Sequence, residues 1–140
     1  MTGAPARILV IDDEPIVCRS CARVLEAEGC TVETAFSPGE GLARVARGRF
    51  DVVLTDLMMS AMGGLEVVRR VRVLSPGTRV IVITGYATLA TAAEAALAGA
   101  FNYVLKPFTP GELQEVVRRA LEGARGSGRS AAPDGGAPLP

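Results

Sequence analysis

Five short apolar runs alternate with stretches of helical character along this chain, and this alternation strongly limits its fold. The runs are Ile8–Ile11, Thr31–Ala35, Val52–Thr55, Val80–Thr84 and Tyr103–Leu105. Four are almost continuously apolar, which is typical of strands covered on both faces, whereas Thr31–Ala35 alternates and is expected at a sheet edge. Strand followed by helix, five times over, predicts an α/β fold: a doubly wound five-stranded parallel sheet with helices on both faces.

Two of the helical stretches begin with the same signal, a hydroxyl residue, a proline in the first turn and a glutamate three residues on. Ser37 to Glu40 and Thr109 to Glu112 are therefore predicted capping boxes. Gly29 and Gly123 are expected to end the first and fifth helices. We expect one domain over residues 7–123 and a disordered tail, or the start of a linker, over the Gly/Pro/Ser/Ala-rich residues 124–140.

Composition narrows the function classes. Fifteen acidic and fifteen basic residues cancel, so we expect no direct nucleic-acid binding and no attraction to a membrane surface. Residues 80–105 are long enough to span a bilayer, but Gly85, Gly99 and Asn102 divide them into shorter pieces. With no signal peptide at the first residues, the protein is expected to be cytoplasmic.

Two cysteines, Cys18 and Cys21, form a C-x-x-C pair. Such a pair is compatible with redox chemistry or with half of a zinc site. The chain has no histidine, however, and the pair lies inside a helical pattern where cysteine serves as a small apolar residue. We favour the structural interpretation.

Polar side chains follow four of the five predicted strands. Asp12, Asp13 and Glu14 follow the first strand, Asp56 follows the third, Thr84 ends the fourth and Lys106 follows the fifth. Because the carboxyl ends of parallel strands meet at one edge of a sheet, these side chains are expected to converge. Lys106 is also the only lysine beside fourteen arginines, which suggests a position that requires a compact ammonium.

This set of residues suits phosphoryl chemistry. Clustered carboxylates repel one another unless a cation joins them, and hard oxygen ligands without His or thiolate select Mg²⁺. Asp12 and Asp13 fit the metal-holding role, and Lys106 and Thr84 suit two oxygens of a phosphoryl group. Asp56, alone at the centre of the predicted sheet, is the candidate nucleophile that would form an aspartyl phosphate.

Four motifs together resemble a known family. They are Ile-Leu-Val-Ile-Asp-Asp-Glu at 8–14, Val-Leu-Thr-Asp-Leu at 53–57, Val-Ile-Thr-Gly-Tyr-Ala at 82–87 and Tyr-Val-Leu-Lys-Pro-Phe at 103–108. Over about residues 7 to 123 the chain resembles the receiver domain of a bacterial two-component response regulator, especially receivers of nitrogen-regulator-type activators. The resemblance implies a flavodoxin-like strand order, 2-1-3-4-5.

The resemblance also implies roles for single residues. Asp56 would accept a phosphoryl group from a sensor histidine kinase or a phosphotransfer protein. Mg²⁺ would be held by Asp12, Asp13, Asp56 and the backbone carbonyl of Met58. Thr84 and Lys106 would then hold the phosphoryl group.

Tyr103 matches the aromatic switch residue of the family. Together with Thr84 it would couple the site to the surface formed by the fourth helix, fifth strand and fifth helix. That surface would control a partner, an effector domain or a homodimer. The Lys106–Pro107 peptide bond is expected to be cis.

The loop after Asp56 departs from the family pattern, because Ser60 replaces the usual proline and Gly63 adds a second glycine. We expect a more mobile loop, in which the Met58 carbonyl is held less firmly. Met58 and Tyr86 occupy the two positions that tune the rate of dephosphorylation in the family. We expect this apolar and aromatic pair to hinder water and to extend the phosphoryl lifetime well beyond seconds.

The burial of the fourth helix and the function of the chain remain open at the sequence level. The alanine-rich fourth helix is either well buried or a contact surface for a second copy or a target.

Two alternatives to the phosphorylation switch also remain. The chain is expected to mediate only its own phosphorylation and dephosphorylation, but a haloacid-dehalogenase-like phosphatase uses similar residues. That family has its nucleophile after the first strand, unlike Asp56. A receiver-like scaffold that is never phosphorylated is the third possibility.

Overall fold

Strands and helices alternate without exception along the described part of the chain. The structure is a computed structural model that describes residues 4–59 and 62–126. Its elements are β1 (Arg7–Ile11), α1 (Pro15–Glu26), β2 (Thr31–Ala35), α2 (Pro38–Arg47), β3 (Val52–Asp56), α3 (Gly64–Leu74), β4 (Arg79–Thr84), α4 (Leu89–Ala98), β5 (Asn102–Leu105) and α5 (Pro110–Gly126).

The five strands of the described residues form one parallel sheet in the order β2-β1-β3-β4-β5. The predicted fold class, strand order and edge position of β2 are therefore confirmed. The register places the ends of neighbouring strands level, since Ile11 pairs with both Ala35 and Thr55, and Thr84 pairs with Leu105. The residues that follow β1, β3 and β5 consequently emerge at one edge.

Alternate residues of the central strands enter two separate cores, which explains why these strands are apolar throughout. On one face, Leu9 and Val53 pack with buried residues of α2, α3 and α4. On the other face, Ile8 and Leu54 pack with residues of α1 and α5. Each fully buried aliphatic side chain of this kind contributes about 1.5–3 kcal/mol to folding.

Of the two predicted capping boxes, one forms as expected and one forms with a different backbone partner. Thr109 and Glu112 form the predicted reciprocal box, with N···O distances of 2.8 and 3.1 Å. At α2, the Ser37 hydroxyl accepts the Glu40 amide at 3.2 Å. The Glu40 carboxylate, however, accepts the amide of Phe36, one residue earlier than a capping box requires.

The predicted end of α5 at Gly123 was wrong. The helix continues to Gly126, so residues 124–126 of the predicted tail are helical, while residues 127–140 lie outside the described residues. A Cβ at Gly123 would lie 3.2 Å from the Arg79 guanidinium, so this glycine permits close packing rather than ending the helix. Gly29 does follow α1 in the left-handed conformation, with φ of 92°.

Cys18 and Cys21 are buried free thiols on the α1 face that packs against the sheet. Burial raises the pKa of Cys18 to about 11 and that of Cys21 to about 12. Protonated thiols of this kind are poor nucleophiles and poor metal ligands. These observations support the structural interpretation of the C-x-x-C pair.

Of the two alternatives for α4, the structure does not show the well-buried one. In this helix, which is described in full, Ala95 is the only buried residue. Leu89 and Leu97 are each 88% exposed. The high alanine content therefore reflects helix propensity, and it leaves two large apolar side chains on the surface.

Candidate functional site

Three carboxylates meet at the carboxyl edge of the sheet. Asp12, directly after β1, is fully buried, and Asp56, the last residue of β3, is nearly so. Asp13 is exposed, and one oxygen from each of the three side chains lies within 4.8 Å of the others. The backbone amide of Glu14 donates to Asp12 Oδ1 at 2.9 Å, which fixes the orientation of that carboxylate.

A close backbone contact supports the position of Asp56. Gly64, the first residue of α3, lies so near β3 that a Cβ there would be 2.2 Å from the Asp56 carbonyl oxygen. The Gly64 amide donates to the Leu57 carbonyl at 2.9 Å. Glycine at this position therefore allows α3 to begin directly against the end of β3.

Burial and mutual repulsion make the acidic cluster unfavourable as a set of anions. Burial raises the pKa of Asp12, against the opposing effects of the Glu14 amide and Lys106. For Asp56, burial and then the charge of Asp12 raise the pKa of the carboxyl group. A cation between these groups would relieve both costs, so the donors fit a hard divalent ion.

Lys106 supplies the one ammonium in contact with this cluster among the described residues. Its Nζ lies 3.2 Å from Asp12 Oδ2, 3.4 Å from Glu14 Oε1 and 3.6 Å from Asp56 Oδ1. Burial lowers the pKa of Lys106, but the charges of Asp12 and Asp56 outweigh it and the pKa is raised. The ammonium therefore stays charged at neutral pH and is shared between three carboxylates.

Glu14 is a site residue to which the sequence assigned no role. Its position directly after Asp12 and Asp13 was the available signal. Its carboxylate is exposed, yet it accepts from Lys106 at the rim of the site.

Thr84 lies at the same edge, and its hydroxyl oxygen contacts the loop that follows β4. Its Oγ1 is buried and accepts the backbone amide of Tyr86 at 3.0 Å. Because Asp56 pairs with Ile83 in the sheet, Thr84 is one residue beyond the level of Asp56. The structure thus brings Asp12, Asp13, Asp56 and Lys106 into direct proximity and leaves the Thr84 hydroxyl bonded to the following loop.

Two predicted rate-tuning side chains stand at the exposed rim. Met58 and Tyr86 are both exposed, in the loops after β3 and β4. Ser60 and Ala61, on which the prediction of loop mobility partly depended, lie outside the described residues. Gly63 is the N-cap residue of α3. The Lys106–Pro107 bond is cis, as expected.

Tyr103 contacts the beginning of α4. Its hydroxyl oxygen lies 2.5 Å from Thr91 Oγ1 and 3.5 Å from the Tyr86 carbonyl oxygen. Thr91 was not among the predicted residues. The available signal was the hydroxyl pair Thr88-x-x-Thr91, which forms a capping box that the structure shows and the Ser/Thr-x-x-Glu pattern did not detect.

Across the described ranges, no helix has the length and apolar character needed to cross a membrane.

Comparisons with known proteins agree on one family. A family model described as "Response regulator receiver domain" matches residues 8–118. The transcriptional regulatory protein ZraR of Salmonella typhimurium is 35% identical over 121 residues, covering 86% of this chain and 27% of the relative. The alginate biosynthesis transcriptional regulatory protein AlgB of Pseudomonas aeruginosa is 37% identical over 116 residues, covering 83% and 26%. The chain therefore spans about a quarter of the length of these curated relatives.

Solved structures show the same similarity. A CheY-like receiver domain protein from Methanospirillum hungatei has a TM-score of 0.83 and 36% identity, with 86% of this chain and 97% of that chain covered. The beryllofluoride-activated NtrC4 receiver domain dimer has a TM-score of 0.80 and 31% identity, with 84% and 98% covered.

Proposed function

Because the chain belongs to the response regulator receiver domain family, we propose that it is a switch controlled by phosphorylation of Asp56. The family predicted from the four sequence motifs is confirmed. The observation that carries the residue assignment is the cluster of Asp12, Asp13 and Asp56 within 4.8 Å, with Lys106 Nζ 3.6 Å from Asp56 Oδ1. The phosphoryl donor is a histidine on a sensor kinase or a phosphotransfer protein.

The transfer is a displacement at phosphorus. A carboxylate oxygen of Asp56 forms the new bond to phosphorus, and the bond to the donor's imidazole nitrogen breaks, leaving its electron pair on that nitrogen. Lys106 Nζ, already 3.6 Å from Asp56 Oδ1, is placed to pair with an oxygen of the transferred group.

The donor set fits Mg²⁺, which would be held by Asp12, Asp13, Asp56 and the backbone carbonyl of Met58. Oxygen-only donors, two of them buried carboxyl groups with raised pKa, support this assignment. When bound, the ion would neutralise the negative charge that accumulates as a phosphoryl group approaches the carboxylates.

Signal output requires a second arrangement of the loop after β4. In the structure the Thr84 hydroxyl accepts the Tyr86 amide. If Thr84 turns to bind a phosphoryl oxygen, that amide loses its partner, so the loop and the neighbouring Tyr103 become free to rearrange. We propose that this change is delivered to the surface formed by α4, β5 and α5.

Treatment with acetyl phosphate and Mg²⁺, followed by intact-mass measurement, tests the proposal. The parent protein should gain one phosphoryl group, while Asp56→Asn should gain none. Asp51→Asn is the matched control, because Asp51 lies before β3 and accepts the Arg7 amide at 2.8 Å, away from the site. A parent protein that stays unmodified would favour the scaffold alternative.

The comparisons give no support to the haloacid-dehalogenase-like phosphatase alternative. Receiver domains as a family are not enzymes in the usual sense. We propose that the chain acts only on its own phosphorylation state, and turnover of a small phosphate ester would contradict this.

A second copy of the chain is the partner we propose for the α4-β5-α5 surface. Leu89, Leu97 and Leu105 are exposed on α4 and β5. One similar structure is described as a beryllofluoride-activated receiver domain dimer.

Sedimentation of the parent and a Leu89→Gln/Leu97→Gln variant, with and without beryllofluoride, tests this assembly. Beryllofluoride should produce a dimer of the parent and leave the double variant monomeric. Val73→Gln, which alters an exposed apolar residue of α3, should dimerise like the parent. A parent that is monomeric in both states would contradict dimerisation.

A further inference from the structure

We propose that Thr91 is a positioning residue that ties Tyr103 to the first turn of α4. Through this contact, the position of the Tyr103 ring determines how firmly the start of α4 is held. The inference rests on the proposed function, because it concerns how a change at the phosphorylation site reaches α4.

The Thr91 hydroxyl is the centre of a compact group of hydrogen bonds. It accepts the backbone amide of Thr88 at 3.0 Å and lies 3.1 Å from the Thr88 carbonyl oxygen. The Thr91 amide in turn donates to Thr88 Oγ1 at 3.0 Å. To this cap, Tyr103 adds its hydroxyl 2.5 Å from Thr91 Oγ1.

The Tyr103 contact is one of several hydrogen bonds that share the Thr91 hydroxyl. A threonine hydroxyl donates one proton and accepts at two lone pairs. The Thr88 amide and the Thr88 hydroxyl both donate to Thr91 Oγ1, at 3.0 and 3.2 Å, and Oγ1 also lies 3.1 Å from the Thr88 carbonyl oxygen. Either hydroxyl can donate in the contact between Thr91 Oγ1 and Tyr103, and in both directions the bond is lost when either hydroxyl is removed.

The same group of residues leads back to the phosphorylation site. The Tyr103 hydroxyl also lies 3.5 Å from the Tyr86 carbonyl oxygen. Tyr86 donates its amide to Thr84 Oγ1 at 3.0 Å. A rotation of Thr84 therefore changes the loop segment that, together with Thr91, fixes the Tyr103 hydroxyl.

The first turn of α4 also carries exposed apolar surface. Leu89, the first residue of the helix, is 88% exposed and lies between the two capping threonines. α4 has ten residues and in it Ala95 is the only fully buried one, so its start depends on local capping more than on core packing. Weakening the Thr91 cap is thus expected to mobilise Leu89 rather than to unfold the domain.

Hydrogen exchange of the α4 amides from residue 89 to residue 92 measures this coupling. Thr91→Val removes the hydroxyl and keeps the branched shape, Thr91→Ser keeps the hydroxyl, and Tyr103→Phe removes the partner. The Val and Phe variants should each speed exchange roughly three- to tenfold without beryllofluoride, the range expected for one hydrogen bond. The Ser variant should match the parent.

Two further readouts separate a switch contact from an ordinary helix cap. In the double variant Thr91→Val/Tyr103→Phe, the effects should be smaller than the product of the single effects, because both remove the same bond. Beryllofluoride with Mg²⁺ should alter exchange at the start of α4 in the parent and less in either single variant.

The outcomes distinguish this inference from the proposed function. If the parent is phosphorylated and Thr91→Val responds to beryllofluoride as fully as the parent, or if its effect multiplies with that of Tyr103→Phe, the Thr91 contact plays no part in switching. A Ser variant that behaves like Val would overturn the inference as well, because the hydroxyl would not be the active group. Should Thr91→Val fail to fold, Tyr103→Phe alone decides, since unchanged exchange there refutes the contact. A parent that neither gains a phosphoryl group nor responds to beryllofluoride refutes the proposed function itself.

Discussion

At the scale of single residues, Lys106 is constrained by the three carboxylates around it. Its ammonium lies 3.2 to 3.6 Å from carboxylate oxygens of Asp12, Glu14 and Asp56, and its side chain is one-fifth exposed. An ammonium is compact and can rotate its three donors between such partners, whereas a guanidinium is a planar fork of fixed geometry. In a chain with fourteen arginines, the one lysine stands at the position where this difference matters.

We therefore predict that Lys106→Arg keeps phosphorylation by acetyl phosphate but loses the response of α4. The charge that neutralises the site is retained, but the fork cannot reproduce the contacts of the ammonium with all three carboxylates. Intact mass reports the first property, and hydrogen exchange of α4 with beryllofluoride reports the second. Arg118→Lys, an exposed change on α5, should alter neither. Normal switching in Lys106→Arg would show that only the charge is needed.

Met58 and Tyr86 concern the lifetime of the phosphorylated state. Both side chains are exposed, in the loops that follow β3 and β4. We predict that Met58→Asn/Tyr86→Glu speeds hydrolysis of the phosphoryl group by roughly an order of magnitude, or about 1.4 kcal/mol in the barrier, because polar side chains admit and orient water. The decay of the phosphorylated mass over time measures the rate. Leu89→Gln is the control for a polar change outside the site, and an unchanged or slower rate in the double variant would refute this role.

At the scale of elements, the junction of β3 and α3 shows that a pair of glycines can be explained by packing. The pair Gly63-Gly64 suggested a mobile loop. In the structure, Gly63 is the N-cap of α3 and Gly64 is held against the Asp56 carbonyl. Gly64 thus permits the close approach of β3 and α3.

Gly64→Ala should consequently disturb the site as well as the fold. Its Cβ would lie 2.2 Å from the Asp56 carbonyl oxygen and 2.7 Å from Leu57 Cα, so the backbone must move. We expect a loss of about 1–3 kcal/mol in the free energy of unfolding, as for other overpacked sites, together with slower phosphorylation. Chemical denaturation and intact mass measure the two effects. Gly63→Ala, whose Cβ would meet no atom within 4 Å among the described residues beyond its chain neighbours, should be close to neutral, and equal effects of the two changes would argue against the steric explanation.

The sequence was sufficient where short-range patterns determine the outcome. Apolar periodicity predicted the strands, and the motif at Thr109 and Glu112 predicted the cap of α5. The same reasoning failed at Gly123, whose role depends on Arg79 from β4. It also failed for Thr91 in α4, whose role depends on its contact with Tyr103 of β5. Contacts between residues far apart in the chain produce no periodic pattern in a single sequence.

At the scale of the whole molecule, the fold places carboxyl groups in buried positions where their charges lower the free energy of unfolding. The sheet carries Asp12 and Asp56 into a buried edge, and folding raises the pKa of both carboxyl groups. A raised carboxyl pKa means that the folded state binds the proton more tightly than the unfolded chain does. Stability therefore falls as pH rises from the ordinary carboxyl value through the raised folded value, and above that window the full cost remains.

We predict that Asp56→Asn is more stable than the parent at pH 7 in the absence of Mg²⁺. The substitution removes one buried charge and its repulsion with Asp12, while Lys106 keeps Asp12 at 3.2 Å and Glu14 at 3.4 Å. Each kcal/mol gained would raise Tm by about 4 °C for a domain of this size. The advantage should vanish below about pH 3.9, where Asp56 is protonated in both folded and unfolded parent. Added Mg²⁺ should also reduce it, because the ion stabilises the folded parent more than the variant.

Thermal unfolding of the parent and variant from pH 3 to pH 8, with EDTA or with Mg²⁺, tests each part of this argument. Asp13→Asn is the matched control, because its carboxylate is exposed and its removal should give a smaller gain at pH 7. If Asp56→Asn were less stable than the parent in EDTA at pH 7, the attraction of Lys106 would outweigh burial and repulsion. The carboxyl edge would then be a stabilising ion-pair network, rather than a site whose buried charges lower the free energy of unfolding until a cation binds.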